Sequence, residues 1–215
     1  MHQLLSILIA TTTDRIGLFD ELLHKFDKQL QERSGWIAKG NAGADITHRI
    51  TDQVELIALC DNKQMSIGRK RQQLLNMAKG EWIVFFDDDD DPNENYVQMI
   101  LDKISPQYDC MGIKVKMTTN GVNEQTCLHR FGRPWAENKE GYDYIRPIIH
   151  FNPVRRELAL KAGFKDLRYG EDKDYSDRLN KIVKKEVFID EWLFHYRYSN
   201  KMPHNLKYGI KNGRK

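Results

Sequence analysis

No stretch of this 215-residue chain approaches the roughly twenty consecutive apolar residues that cross a bilayer. The first apolar run, residues 4–10, is too short for a signal peptide and has no basic region ahead of it, so a soluble protein is expected. Cysteine is scarce. Cys60, Cys110 and Cys127 are odd in number, far apart and without metal-type spacing. That argues against a disulfide framework or a zinc cluster and predicts reduced thiols in a cytoplasmic protein. No glycine-rich phosphate loop is present, so ATP hydrolysis and nicotinamide chemistry fit poorly. Acid is missing after Glu191, whereas Arg197, Lys201, Lys207, Lys211, Arg214 and Lys215 follow. Such a tail has two readings: contact with phosphates of a nucleotide, nucleic acid or lipid surface, or a solubilising terminus. The net charge of +3 is too small to choose between them.

What is present suits one α/β domain with a full core. Residues 6–10 read as a strand buried on both faces, residues 11–15 as a polar turn, and residues 16–30 as a helix carrying Leu18, Leu22, Leu23, Phe26 and Leu30 on one side. Residues 34–53, with Gly35, Gly40 and Gly43, read as a loop. A second strand spans 54–60 and ends at Asp61-Asn62. Ser66 can cap the next helix, which stops at Gly80, and residues 82–86 form a third strand. Strands alternating with helices pair in parallel by right-handed crossovers, so their C-terminal ends share one edge, where such sheets bind ligands.

Further along, a helix is expected over 93–104 with Pro92 at its start, a strand over 110–118 and a hairpin turn at Asn120-Gly121. Residues 131–147 read as an irregular binding loop containing Trp135. Helices follow over 154–162, closed by Gly163, and over 171–182, with Gly170 just ahead. Strands at 187–189 and 192–198 complete the pattern.

Five consecutive aspartates, Asp87 to Asp91, stand between the third strand and Pro92. Unit charges ~4 Å apart repel by roughly 1 kcal/mol in water and several times more near a protein surface. A divalent cation on oxygen ligands offsets such crowding; a solvated acidic turn is the plainer alternative. The polar strand ends Thr11 to Arg15, Asp61-Asn62 and Asp87 to Asp91 could all meet one ligand.

Four segments taken in order carry a family likeness. They are Ser6-Ile7-Leu8-Ile9-Ala10-Thr11, the strand ending in Asp61, Lys70-Arg71-Gln72 leading to Ala78-Lys79-Gly80-Glu81-Trp82-Ile83-Val84-Phe85-Phe86-Asp87-Asp88-Asp89-Asp90, and Gly170-Glu171-Asp172. Over about residues 4–198 the chain resembles the family 2 glycosyltransferases, with their GT-A fold and DXD motif. The resemblance implies a Rossmann-like, mostly parallel sheet flanked by helices, with a small antiparallel portion on the acceptor side. It implies one domain over 1–200, with a nucleotide-sugar half at 1–105, an acceptor half at 106–200 and a basic tail at 201–215.

The same resemblance implies a nucleotide-sugar donor, most readily a UDP-sugar, with Mn2+ or Mg2+. Asp89 is then the metal ligand, supported by Asp87, and Asp88 meets the ribose. Asp90 and Asp91 read as helix cap and solvated charge. His195 is offered as a third metal ligand, although a histidine in an aromatic strand also packs. Arg197 or Lys201 could neutralise the diphosphate, and His150 reads as a structural residue. Thr11, Thr13, Arg15, Asp61 and Arg71 are assigned to the nucleoside pocket. Arg69, Lys70 and Arg71 either approach it or form a solvated helix face. Asp172 is the general base of an inverting displacement, with Glu171 orienting it or binding the acceptor. Asp174 and Asp177 read as surface charges.

The chain departs from the family in the turn Asp61-Asn62-Lys63, which replaces an acidic, Gly/Ser-rich one, and in lacking the Q-x-x-R-W element of processive synthases. The latter argues for transfer of a single sugar. A nucleotidyltransferase is the competing enzyme class, but the turn 11–15 lacks its glycines. A non-catalytic sugar or nucleic-acid binder is the third reading. The acceptor, whether saccharide, protein or nucleic-acid base, and the oligomeric state are left open by the residues alone.

Overall fold

The computed structural model describes residues 3–30, the backbone of 35–39, and residues 44–199. Lys201 and the basic tail lie outside the described residues.

In chain order the elements are β1 (Leu5–Thr12), a 3-10 turn (Thr13–Arg15), α1 (Ile16–Leu30), β2 (Gly35–Lys39), β3 (Asp45–Ile50), β4 (Val54–Asp61), α2 (Ile67–Met77), β5 (Trp82–Asp87), β6 (Asp91–Pro92) and α3 (Tyr96–Leu101). There follow β7 (Cys110–Thr119), β8 (Val122–His129), β9 (Ala136–Lys139), β10 (Tyr142–Arg146), β11 (Val154–Arg155), α4 (Arg156–Ala162), α5 (Glu171–Leu179) and β12 (Glu186–Tyr198). The sheet runs β2-β3-β4-β1-β5-β11-β7-β8-β10-β9, with β12 beside β7 and β6.

Its centre forms as the apolar runs predict. β1 is parallel to both β4 and β5, with Thr12 opposite Asp61 and Ala10 opposite Asp87, so the three polar strand ends share one edge. Alternation along β5 sends Trp82, Val84 and Phe86 to one core and Ile83 and Phe85 to the other. The first core holds Phe19, Leu22, Phe26 and Leu30 of α1, and the second takes Leu74 and Leu75 of α2 with Tyr175 and Leu179 of α5. Each large side chain so buried contributes about 1.5–3 kcal/mol.

Several expected boundaries need correction. The stretch 34–53 contains the two antiparallel strands β2 and β3, so antiparallel pairing also occupies the edge opposite β8, β10 and β9. On α1 it is Phe19 that enters the core, while Leu18 is exposed. Pro92 belongs to β6, which pairs with Phe194 of β12, and α3 starts only at Tyr96. The stretch 131–147 holds the β9–β10 pair. Val154 and Arg155 bridge β5 to β7 before α4 begins. The last two expected strands are one, β12, whose register shifts around Trp192 absorb Asp190 and Glu191 as bulges. The Asn120-Gly121 hairpin forms as expected, closing Thr119 against Val122.

Candidate active site

The strand ends open into a cavity of about 750 Å³, walled on one side by Thr11, Arg15, Lys70, Arg71 and Asp87 to Asp89 and roofed by Arg168 to Asp172. Charges on this wall are paired. Arg15 Nε donates to both oxygens of Asp88, at 2.9 and 3.0 Å, and its Nη2 reaches Asp88 Oδ1 at 2.5 Å and Asp89 Oδ2 at 2.8 Å. Thr11 Oγ1 donates to Asp88 Oδ2 at 2.6 Å. Burial pushes the Asp88 carboxyl up, opposed by Arg15 and Thr11.

Arg71 is the hub. Its Nη1 donates to Glu171 Oε1 at 2.6 Å, and its Nη2 donates to Asp87 Oδ1 at 2.8 Å and to His150 Nε2 at 3.0 Å. His150 Nε2 also lies 3.8 Å from Asp87 Oδ2, and its Nδ1 meets no hydrogen-bond partner among the described residues. Burial disfavours the charge on Asp87, yet Arg71 and His150 hold its carboxyl below the usual range. Burial raises the Glu171 carboxyl, with Arg71 pulling it back. Gly170 at φ 75° occupies the left-handed region, which lets the chain turn into α5 so that Glu171 and Asp172 head the helix at the cavity. Asp172 is half-buried and accepts the backbone N–H of Lys173 at 2.7 Å.

Other expected site residues are placed differently. Asp61 is fully buried, its oxygens taken by Lys70 Nζ at 2.7 Å and Met65 N at 2.8 Å, so it braces the wall from behind. Lys70 also donates to the carbonyl of Thr11 at 2.7 Å. Lys70 and Arg71 are therefore buried rather than solvated, and only Arg69 faces water. Thr13 is exposed, off the cavity wall, and donates to Asn62 Oδ1 at 3.2 Å. His195 stands opposite Asp91 in the β12–β6 ladder and does not join Asp87 and Asp89: Phe194, Tyr196 and Tyr198 line the cavity, and strand alternation turns His195 to Thr118 Oγ1, 2.8 Å away. Asp90 is not a solvated cap. It is 1% exposed, its Oδ1 accepts Arg197 N at 3.1 Å, and burial beside Asp87 and Asp89 pushes its carboxyl well above the usual range. Asp91 pairs with Lys25 at 2.5 Å. Arg197 Nε donates to the carbonyl of Asp89 at 2.8 Å, steadying the acidic loop.

Two wall residues, Arg168 and Tyr169, were not singled out from the sequence; their adjacency to Gly170-Glu171-Asp172 was the available signal. Their loop is tied to α2 by Ser66 Oγ donating to Asp166 Oδ1 at 2.5 Å and by Gly68 N donating to Leu167 O at 3.1 Å.

Among the described residues no three His, Cys, Asp or Glu side chains form a ready metal cluster. Asp87 and Asp89 still offer hard oxygen donors from one loop on the wall. That donor set suits Mg2+ or Mn2+ when phosphate oxygens and water complete the shell.

Residues 36–168 match the sequence model described as glycosyl transferase family 2. Among solved structures, the chain is similar to Staphylococcus aureus TarS 1-349 in complex with UDP-GlcNAc, at TM-score 0.58 and 17% identity, covering 91% of this chain and 58% of that one. The TarS 1-349 complex with UDP aligns at TM-score 0.58 and 18% identity, covering 92% and 61%. This chain thus spans about three fifths of the length of the structures it matches, and the likeness at this identity establishes the fold. A comparison with curated protein sequences returns no match.

Proposed function

The chain belongs to glycosyl transferase family 2, and from that premise we propose that it moves a single sugar from a UDP-sugar to an acceptor hydroxyl, with inversion at the anomeric carbon. The observation that carries this reading is the Arg71 hub, which joins Asp87 at the strand end to Glu171 at the head of α5 across one cavity. Donor-binding and base-bearing elements are thereby held in a single rigid frame.

In this reading residues 1–105 bind the donor and 106–200 the acceptor. Thr11, Arg15 and Asp88 form the nucleoside side of the wall, with Asp61 and Lys70 bracing it. The acceptor oxygen attacks the anomeric carbon opposite the diphosphate, and its proton passes to the Asp172 carboxylate. The new C–O bond forms as the sugar–phosphate bond breaks, and the bonding pair departs with UDP. A divalent cation held by Asp89 and Asp87 would supply Lewis-acid neutralisation of the departing diphosphate. Glu171, fixed by Arg71, orients the start of α5. A cytoplasmic setting is part of the proposal, supported by free thiols at Cys60, Cys110 and Cys127. No described helix is long and apolar enough to cross a membrane.

The test is release of UDP from a panel of UDP-sugars under Mn2+, alongside melting curves with UDP. Bound ligand raises the melting temperature. UDP release that disappears in Asp172→Asn and Asp89→Ala supports the proposal; absence of both UDP binding and UDP release in the parent protein refutes it.

A further inference from the structure

Resting on the transferase reading, we infer that the acceptor is a saccharide, seated on the Trp135–Arg146–Tyr144 stack at the mouth of the cavity. Trp135 is 45% exposed yet firmly backed: the Arg146 guanidinium lies 5.0 Å from its ring centroid and 4.9 Å from that of Tyr144. Arg146 Nη1 donates to the carbonyls of Ala136 and Ile145, at 2.9 and 3.0 Å, so the β9–β10 pair pins the guanidinium in place. All three side chains line the cavity that also holds Asp172. Deeper in, Phe151, Tyr196 and Tyr198 continue the aromatic surface, with successive centroids 6.3 Å apart.

The chemistry of this wall selects among acceptors. A pyranose has an apolar face of C–H groups and a rim of hydroxyls, and a fixed, half-exposed aromatic ring accepts that face at little cost in ordering entropy. A nucleic-acid strand needs repeated cation–phosphate contacts. Along the β7, β8, β10 and β12 side, Arg146 is the sole Lys or Arg among the described cavity-lining residues, and two carbonyls already engage it. No carboxylate lines this side either, so a cationic acceptor has no counter-charge.

The test uses the full chain with Mn2+ and a turned-over UDP-sugar. Probes are oligosaccharides ending in glucose, galactose or N-acetylglucosamine, a short oligothymidylate, and a Ser/Thr-rich peptide. At least one oligosaccharide is expected to raise UDP release above hydrolysis by water. Trp135→Ala then raises the acceptor KM by about ten-fold or more with a much smaller change in kcat, and Trp135→Phe restores most of the affinity. Trp135→Leu, which keeps an apolar side chain without a π face, should behave like the alanine variant, and the UDP-induced melting shift reports that each variant is folded. Stimulation by the oligonucleotide or peptide alone, no stimulation by any oligosaccharide, or an unchanged KM in both the Ala and Leu variants overturns the inference. A parent protein that gives neither a melting shift with UDP nor UDP release refutes the transferase reading itself, a failure told apart because both are read without acceptor.

Discussion

Arg71 Nη1 donates to Glu171 Oε1 at 2.6 Å, joining residues a hundred positions apart in the chain. Arg71 is 4% exposed and Glu171 6%. The same guanidinium holds Asp87, so one buried cation sets the spacing between the acidic strand end and the head of α5.

Removing that cation leaves two carboxylates without compensation. Arg71→Met should cost roughly 3–5 kcal/mol, the usual price of orphaning a buried charge. Arg71→Met combined with Glu171→Gln should recover part of the loss, because the pair is coupled. Urea denaturation of the two singles and the double reads this directly; a loss below about 1 kcal/mol in Arg71→Met would show that the hub does not support the fold.

Asp172→Asn keeps the shape of the side chain but cannot take a proton. Turnover of UDP-sugar with acceptor should fall by about 10²–10⁴-fold while the UDP melting shift persists. Near-parental turnover would move the base to another group.

Metal dependence is testable by removal. EDTA should abolish transfer and Mn2+ restore it, with Asp89→Ala requiring far more Mn2+ for the same UDP affinity. Calorimetric titration of UDP with and without Mn2+ checks this, and equal affinities in the parent protein would remove the cation from the donor site.

His129 is buried, and burial, followed by Arg146 and His150, lowers its pKa from 6.5 to about 3. The folded state therefore keeps it neutral while the unfolded chain takes up a proton below pH 6.5. Its contribution is complete above 6.5 and is lost as pH falls from 6.5 towards 3, at about 1.4 kcal/mol per pH unit. His129→Gln should flatten the stability profile between pH 6.5 and 4.5, measured by urea midpoints at each pH (about two units of the predicted window). An unchanged slope would mean that other groups dominate acid sensitivity.

A Cβ at Gly68 would collide with the backbone carbonyl of Lys165, which no side-chain movement relieves. Gly68→Ala should cost about 1–3 kcal/mol and displace the loop carrying Arg168 and Tyr169. Weaker UDP binding at a lowered melting temperature is the expected result; binding as tight as the parent's would show that the loop does not contribute to the donor pocket.

The centre of the fold was legible because β1, β4 and β5 are buried on both faces and so read as apolar runs, broken only by Ser6 in β1 and Glu55 in β4 ahead of their polar ends. The β-α-β-α-β order then fixed a shared edge for Thr11, Asp61 and Asp87. The edges were harder to read. β3 carries apolar side chains only at Ile46 and Ile50, with Thr47, His48 and Arg49 between them, so it lacks the period-two pattern of a strand and its strand character rests on pairing with β4. β12 was split at Asp190-Glu191 because a bulge, which only a partner strand can stabilise, resembles a turn.

The amino-acid order by itself determined which polar strand ends share one edge, because local apolar periodicity and the handedness of crossovers need no knowledge of distant contacts. Tertiary structure alone decided which charged groups line the cavity. His195 faces Thr118 rather than Asp87 and Asp89 because the β7 and β6 registers set its parity, and Asp90 is buried beneath Arg197. Arg71 became a buried hub because its partners, Asp87, His150 and Glu171, come from three separate stretches of chain, and burial of a guanidinium is permitted only where such partners converge.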